Sequence, residues 1–226
     1  MRRQASSPYG AFMTATVHQL RPQTPRSETE SPERIADALL VEALRAGDSD
    51  AATRLFDRHG KYIERLLYRI LGPDEELEDA LHDVFAKALT THSQLRDPSA
   101  LRAWLSRIAA GTARDLIRRR MRRRWLVFRD PHDVPEVPDH ARQEASDLLK
   151  RAYRAIDRMK ADERIAFTLR RIEGMTLPEV AAACGVSLAT AKRRIRKANE
   201  QFQRLAAAEG LAGLSDSTPL EEPNHD

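Results

Sequence analysis

Along most of the chain between residues 35 and 205, apolar residues recur at spacings of three and four, the period of a helix that buries one face. Ile35, Leu39, Leu40, Ala43 and Leu44 form one such stripe, ended by Gly47. Asp48 or Asp50 is placed to cap a second helix, with Ala51, Ala52, Leu55 and Phe56 inward. Ile63, Leu66, Leu67 and Ile70 continue inward over 62–71, before Gly72-Pro73. Leu77, Leu81, Val84, Phe85 and Ala88 share a face over 74–89. Leu101, Trp104, Leu105, Ile108, Ala109, Thr112 and Leu116 share another over 101–116. A one-sided apolar stripe needs another helix to cover it, so the fold is expected to be all-α. Only 5% of residues are aromatic, and Ala, Leu, Arg and Glu are abundant, which argues against a sandwich or barrel.

The prolines divide the chain. Pro8, Pro22, Pro25 and Pro32 fall in an opening rich in Ser, Thr and Gln, which cannot bury enough apolar area to offset chain entropy. Met13 is an alternative start. Pro131, Pro135 and Pro138 cluster where helical periodicity is lost, over 130–140. The expected layout is a disordered tail over 1–33, a helical domain over 34–125, a flexible linker over 126–142, a second helical domain over 143–208 and a disordered tail over 209–226. In the second domain Leu148, Leu149, Ala152, Tyr153 and Ile156 form one face. Ile165, Ala166, Leu169 and Ile172 form the next, ended by Gly174. A single cysteine, Cys184, excludes an internal disulfide and a Cys-rich metal site, and fits a reducing compartment. No apolar run is long enough to span a bilayer, and no secretory h-region follows the N-terminal arginines.

The sharpest local signal lies in the second domain. Thr176-Leu177-Pro178-Glu179 has the form of a capping box, with Pro in the first turn where no N–H partner is lost. The helix to Cys184 then meets Gly185-Val186-Ser187: a glycine where a sharp turn asks for positive φ, and a serine suited to cap the next helix. Ala181 permits a close helix crossing. Val180, Cys184, Val186, Leu188 and Ile195 are expected to form the core of a helix-turn-helix, with Cys184 a small buried hydrophobe. Lys192, Arg193, Arg194, Arg196 and Lys197 put five cations in six residues on the last helix. Such a face suits a DNA major groove, where phosphates fix the register and side chains read base edges. The blander reading is a helical hairpin with a solvated basic face. Box, small residue, turn glycine, second cap and basic helix coinciding in this order argue against it.

The net charge is only +4, from 38 Lys+Arg against 34 Asp+Glu, and names no partner. Its distribution says more. Asp74, Glu75, Glu76, Glu78, Asp79 and Asp83 put six acids in ten residues with no compensating base, and Glu75, Glu78, Asp79, His82 and Ala86 share the expected exposed face. Alone, an acidic helix face usually means solvation. Farther along, Arg118, Arg119, Arg120, Arg122, Arg123 and Arg124 put six arginines in seven residues, broken by Met121. A polyanion relieves their mutual repulsion by counterion release. Trp125 and Phe128 beside them could stack on unpaired bases or belong to the core; Trp104 reads as structural. No phosphate-cradling Gly loop, metal-spaced His pair or Ser/His/Asp motif occurs, and the seven histidines are scattered. No catalytic residues, metal or cofactor are expected.

These residues in this order resemble the sigma factors of bacterial RNA polymerase, specifically the compact extracytoplasmic-function class. The resemblance runs through Arg45-Ala-Gly-Asp48, Leu55-Phe56, Glu78-Asp79-Ala-Leu-His-Asp83-Val-Phe85, Trp104-Leu-Ser-Arg-Ile108-Ala and Asp115-Leu-Ile-Arg-Arg119. It resumes at Asp162-Glu163-Arg164 and through the helix-turn-helix from Thr176 to Arg196. It implies a non-enzymatic cytoplasmic subunit that recruits core RNA polymerase to promoter DNA and is held in check by an anti-sigma factor. Glu78, Asp79, His82 and Asp83 would face the polymerase. The loop over 94–100 and the helix end bearing Arg114, Arg118, Arg119, Arg122 and Arg123 would meet the melted −10 element. Thr190, Lys192, Arg193, Arg196 and Lys197 would face the −35 element. A linker of about 18 residues reaches at most ~60 Å, more than one DNA turn of ~34 Å. His82 stands where the family usually has Gln, Gly111 where it has Asn, and Ala191 where it has Val or Ile. The rival reading is a helix-turn-helix regulator that acts without being a polymerase subunit.

Overall fold

The stripes fold as helices, and the computed structural model describes residues 32–72, 74–126 and 151–208, except the side chains of 123–126. Among the described residues all regular structure is helical. The first four helices are α1 (Pro32–Arg45), α2 (Ala51–Leu71), α3 (Leu77–Thr91) and α4 (Leu101–Leu126), with 3-10 turns at His92–Gln94 and Pro98–Ala100 between α3 and α4. A helical run over 151–157, α5, opens the second unit. It continues with α6 (Ala161–Phe167), a π turn over Thr168–Ile172, α7 (Leu177–Cys184) and α8 (Leu188–Ala208).

Two boundaries move. The tail expected over 1–33 gives way to α1 at Pro32, a residue favoured at the first helical position because its missing N–H has no partner there to lose. α4 runs through Leu126, the residue where the linker was expected to begin. The rest of both tails and of the linker, with Leu148 and Leu149, lies outside the described residues.

Leu55, Ile63, Leu66, Leu67 and Ile70 of α2 are fully buried, as are Val84 and Ala88 of α3 and Leu101, Leu105 and Ala109 of α4. Four expected core residues are exposed. Ile35 and Leu39 are 51% and 67% exposed, because α1 packs instead through Leu40 and Val41. Phe56 is 42% exposed, its ring leaning on Phe85 at 5.0 Å. Leu188 is 45% exposed as the first residue of α8.

α4 is covered on two sides. Its expected stripe faces α2 and α3, while Ala110, Ala113 and Ile117, nearly opposite on the helix, are buried as well. α6 and α7 pack against α4, and one apolar cluster includes Ala110, Ala113 and Ile117 with Ile165, Val180, Ala181, Cys184 and Ile195. The two units therefore share a core. The second unit keeps a smaller one of its own around Ile156, Met159, Phe167 and Ala198, where Phe167 packs on Phe202 at 4.5 Å.

The helix-turn-helix forms as its sequence dictates. Thr176 Oγ1 accepts from the Glu179 N–H at 3.4 Å, and Glu179 Oε2 accepts from the Thr176 N–H at 2.7 Å. Gly185 ends α7 in the left-handed region at φ 65°, ψ 40°, and Ser187 Oγ accepts from the Thr190 N–H at 3.3 Å. At α2 the expected cap differs. Asp50 holds the N-cap position without a side-chain cap, and Asp48 instead accepts from the Asp50 N–H and pairs with Arg54.

α1 and α2 are joined by a buried polar knot in which Asp37 receives Arg58 at 2.6 Å and lies 3.1 Å from His59 Nε2. Burial works to raise the Asp37 carboxyl, but hydrogen bonds and charge from His59 and Arg58 outweigh it and hold it below its ordinary value.

Removing the capping hydroxyl with Thr176→Ala should cost about 1 kcal/mol in urea unfolding, with an unchanged m-value. Because the folded pKa of Asp37 is depressed, its contribution is full above the ordinary carboxylate range and is lost as pH falls through the depressed value. Asp37→Asn should therefore lower stability near neutral pH and flatten the decline on acidification, measured as unfolding midpoints across that range.

Candidate nucleic-acid interface

Consecutive helical residues turn by about 100°, so a run of basic residues cannot all face one way. On α8, Lys192, Arg193, Arg196 and Lys197 are exposed. Arg194 turns inward and reaches Asp162 Oδ1 at 3.4 Å. Thr190 is half-buried at the start of the helix, its hydroxyl 3.0 Å from Ser187 Oγ. The only ion pair on the outer face among the described residues is Arg196 with Glu200 at 4.0 Å, too exposed and too long to hold the guanidinium. Ala191 is buried in the shared core, and burial pushes the Cys184 thiol up, in keeping with a small packed side chain.

The arginine run on α4 divides among three environments. Arg119 and Arg122 are exposed, and the side chain of Arg123 lies outside the described residues. Arg120 is 16% exposed and turns back to α3's approach, with Nη2 2.5 Å from Asp74 and Nε 3.1 Å from Glu76. The acidic segment therefore has a compensating base after all, from an element 44 residues away. Burial still wins at Asp74, whose carboxyl is held above its ordinary value despite a backbone N–H from Glu76 and the charge of Arg120. Arg114 and Arg118 meet Asp162 of α6 at 2.9 and 3.2 Å, and Arg114 also donates to the Cys184 carbonyl at the end of α7. Asp162, which sequence reasoning passed over except as a family match, is thus the common partner of three arginines from two helices.

Glu78, Asp79, His82 and Asp83 all lie exposed on one side of α3, as expected, with Glu75 and Ala86. Among the described residues none of Glu78, Asp79 and Asp83 makes an ion pair. Asp79, His82 and Asp83 line a groove of about 340 Å³ with Glu76, Ala80, Thr112, Leu116 and Arg119. An acidic α3 face and an exposed α4 arginine therefore meet across one depression. Lys87 braces its wall by donating to Thr112 Oγ1 at 3.1 Å. Gly111 is half-buried, with open space where a Cβ would project, so no steric demand fixes glycine there. In the segment over 94–100, Leu95 is buried and its carbonyl accepts from Arg45 at 2.5 Å. Trp104 packs partly buried against the core, while the side chains of Trp125 and Phe128 lie outside the described residues.

Two helical units, one of them a capped helix-turn-helix with a basic outer face, define a transcription protein that reads DNA. The family model for Sigma-70 region 2 matches residues 55–123, and that for Sigma-70, region 4 matches residues 149–201. The ECF RNA polymerase sigma-E factor of Escherichia coli (strain K12) is 28% identical over 178 residues, 74% of this chain and 93% of the relative. Its counterpart from Haemophilus influenzae is 26% identical over 181 residues, 76% of this chain and 95% of the relative. Among solved structures, that of CnrH in complex with the cytosolic domain of CnrY matches at TM-score 0.55 and 25% identity, covering 76% of this chain and 98% of that one. The sigma factor RpoE in complex with the anti-sigma factor NepR from Bartonella quintana shares the fold at TM-score 0.54 and 23% identity, covering 70% and 98%. The chain belongs to the sigma-70 family, in its extracytoplasmic-function class, and is a sigma factor that directs promoter-specific transcription initiation. Both regions matching in order disfavours the rival reading, a regulator that acts outside the polymerase.

Because Arg120 is paired with both half-buried Asp74 and Glu76, Arg120→Ala should cost about 1–3 kcal/mol in urea unfolding. Arg119→Ala and Arg122→Ala should stay within about 0.5 kcal/mol of the parent in the same measurement.

Proposed function

We propose that residues 34–125 form the polymerase-docking and −10 unit and residues 143–208 the −35 unit, joined through 126–142. The observation that carries the docking assignment is the division of the acidic segment. Asp74 and Glu76 take an internal counter-charge from Arg120, whereas Glu78, Asp79 and Asp83 keep theirs for an outside partner. With His82 they offer a fixed negative face to a basic surface of core polymerase, and the rigidity of α3 spares the ordering cost of a loop.

The −35 role is assigned to Thr190, Lys192, Arg193, Arg196 and Lys197. The Ser187 cap and the Gly185 turn hold the start of α8 at a fixed angle to α7, so these side chains project as a set. The −10 role is assigned to Arg114, Arg118, Arg119, Arg122 and Arg123 together with the segment over 94–100. Acting through binding alone, the protein needs no catalytic residue or cofactor. No helix among the described residues is long and apolar enough to cross a membrane. We place the protein in the cytoplasm, with nucleoid DNA when in holoenzyme. An anti-sigma factor is the third proposed partner, and capture of the similar CnrH with the cytosolic domain of CnrY supports such a complex.

Charge reversal tests the docking face. Asp79→Lys with Asp83→Lys should weaken binding to core polymerase by more than about tenfold and abolish promoter-dependent transcription, with helicity unchanged by circular dichroism. Unchanged affinity would reduce the acidic face to a solvated one. In holoenzyme, Arg196→Ala should cost about 1–3 kcal/mol at a base it reads, or lower the salt slope by about one where it meets phosphate.

A further inference from the structure

We propose that two copies of the free protein pair through the outward face of α1, antiparallel about a two-fold axis between Ala38 and Leu39, as a weak, concentration-dependent homodimer. The proposal does not rest on any residue assigned to polymerase or DNA.

A helix on a protein surface normally turns its polar side to solvent. α1 does not. Its inward side is apolar, through Leu40 and Val41, and so is much of its outward side, where Ile35 is 51% and Leu39 67% exposed. Scattered exposed aliphatic side chains are ordinary. These two instead flank one depression of about 490 Å³, whose α1 lining is Ile35, Ala38, Leu39 and Glu42, with Arg34 and Ser99 beside them. Positions i, i+3, i+4 and i+7 of a helix form the four-cornered hole that receives one side chain of a second helix. Ala38, the small member of the four, makes this hole deep enough for an aliphatic knob. The Asp37 knot with Arg58 and His59 ties the opposite side of α1 to α2, so the face is presented on a fixed helix.

A second copy fits because the face complements itself. In an antiparallel pair, Leu39 of each copy enters the hole of the other over Ala38, and the two leucines meet across the axis. Residues equally far from the axis come level, so Ile35 of one copy faces Glu42 of the other, and Arg34 stands beside that carboxylate. Arg34 donates to a neutral hydroxyl, Ser99 Oγ at 3.3 Å, and makes no ion pair among the described residues. Glu42 pairs with Arg45 at 2.7 Å along its own helix, yet its side chain is 59% exposed and can accept a second guanidinium. The two-fold axis makes each of these contacts twice. A parallel pair would instead set Arg34 level with Arg34 and Glu42 with Glu42, so charge selects the antiparallel arrangement.

The size of the face sets the strength. α1 has 14 residues, and the pairing uses about two turns of it, well under the ~800 Å² per partner of a stable complex. Association is therefore weak and reversible.

The test is sedimentation of the full chain without polymerase, at low salt, from about 1 µM to about 1 mM. The weight-average mass should climb from the monomer value of 25.6 kDa toward twice that value and no higher. Leu39→Glu, at an exposed position, should keep the parent's circular dichroism and weaken self-association at least about tenfold. Arg34→Glu should also weaken it, and adding Glu42→Arg to that variant should restore it, because the exchange rebuilds both charge pairs. A parent that stays monomeric throughout the range overturns the proposal. So does a mass that rises equally in Leu39→Glu, which puts the contact elsewhere. A double variant no better than Arg34→Glu overturns the antiparallel pairing.

Discussion

Everything in this molecule is arranged around a helix buried on both sides. α4 gives one face, from Leu101 through Leu116, to the helices before it, and the opposite face, Ala110, Ala113 and Ile117, to the helices after it. A helix used this way has only two narrow flanks left for polar residues. Arg107, Arg114 and Arg118 lie along one flank, close to the helix-turn-helix, and Arg114 and Arg118 reach Asp162 of α6 from it. The small side chains on the second face allow this: alanine lets helices approach closely enough for an arginine of one unit to reach a backbone carbonyl of the other.

The same geometry sorts the charges. A near-balanced total of +4 conceals a set of internal pairings that removes some groups from the surface and leaves others. Arg120 is consumed by Asp74 and Glu76, and Arg114, Arg118 and Arg194 converge on Asp162. What remains outward includes Glu78, Asp79 and Asp83 on one side of α3 and Lys192, Arg193, Arg196 and Lys197 on one side of α8. Opposite fields on separate helices suit a protein that must bind a polymerase and a nucleic acid at once, since neither surface competes for the other's partner.

Local chemistry was readable from sequence, and distant pairing was not. The helix-turn-helix is written in adjacent residues: Thr176 and Glu179 cap each other, Gly185 adopts positive φ and Ser187 caps α8, all within twelve positions. The inner faces of α2 and α3 follow from periodicity, and the outward acids of α3 are its complement. Ile35, Leu39 and Leu188 were misplaced because periodicity fixes a helix's apolar side but not which part of it finds a neighbour. The second face of α4 is not legible in the sequence because alanines carry too little hydrophobicity to declare a stripe beside six arginines. The pairing of Arg114 and Arg118 with Asp162 is not legible in the sequence, because Asp162 lies 48 and 44 residues beyond them, a separation only the tertiary fold can close.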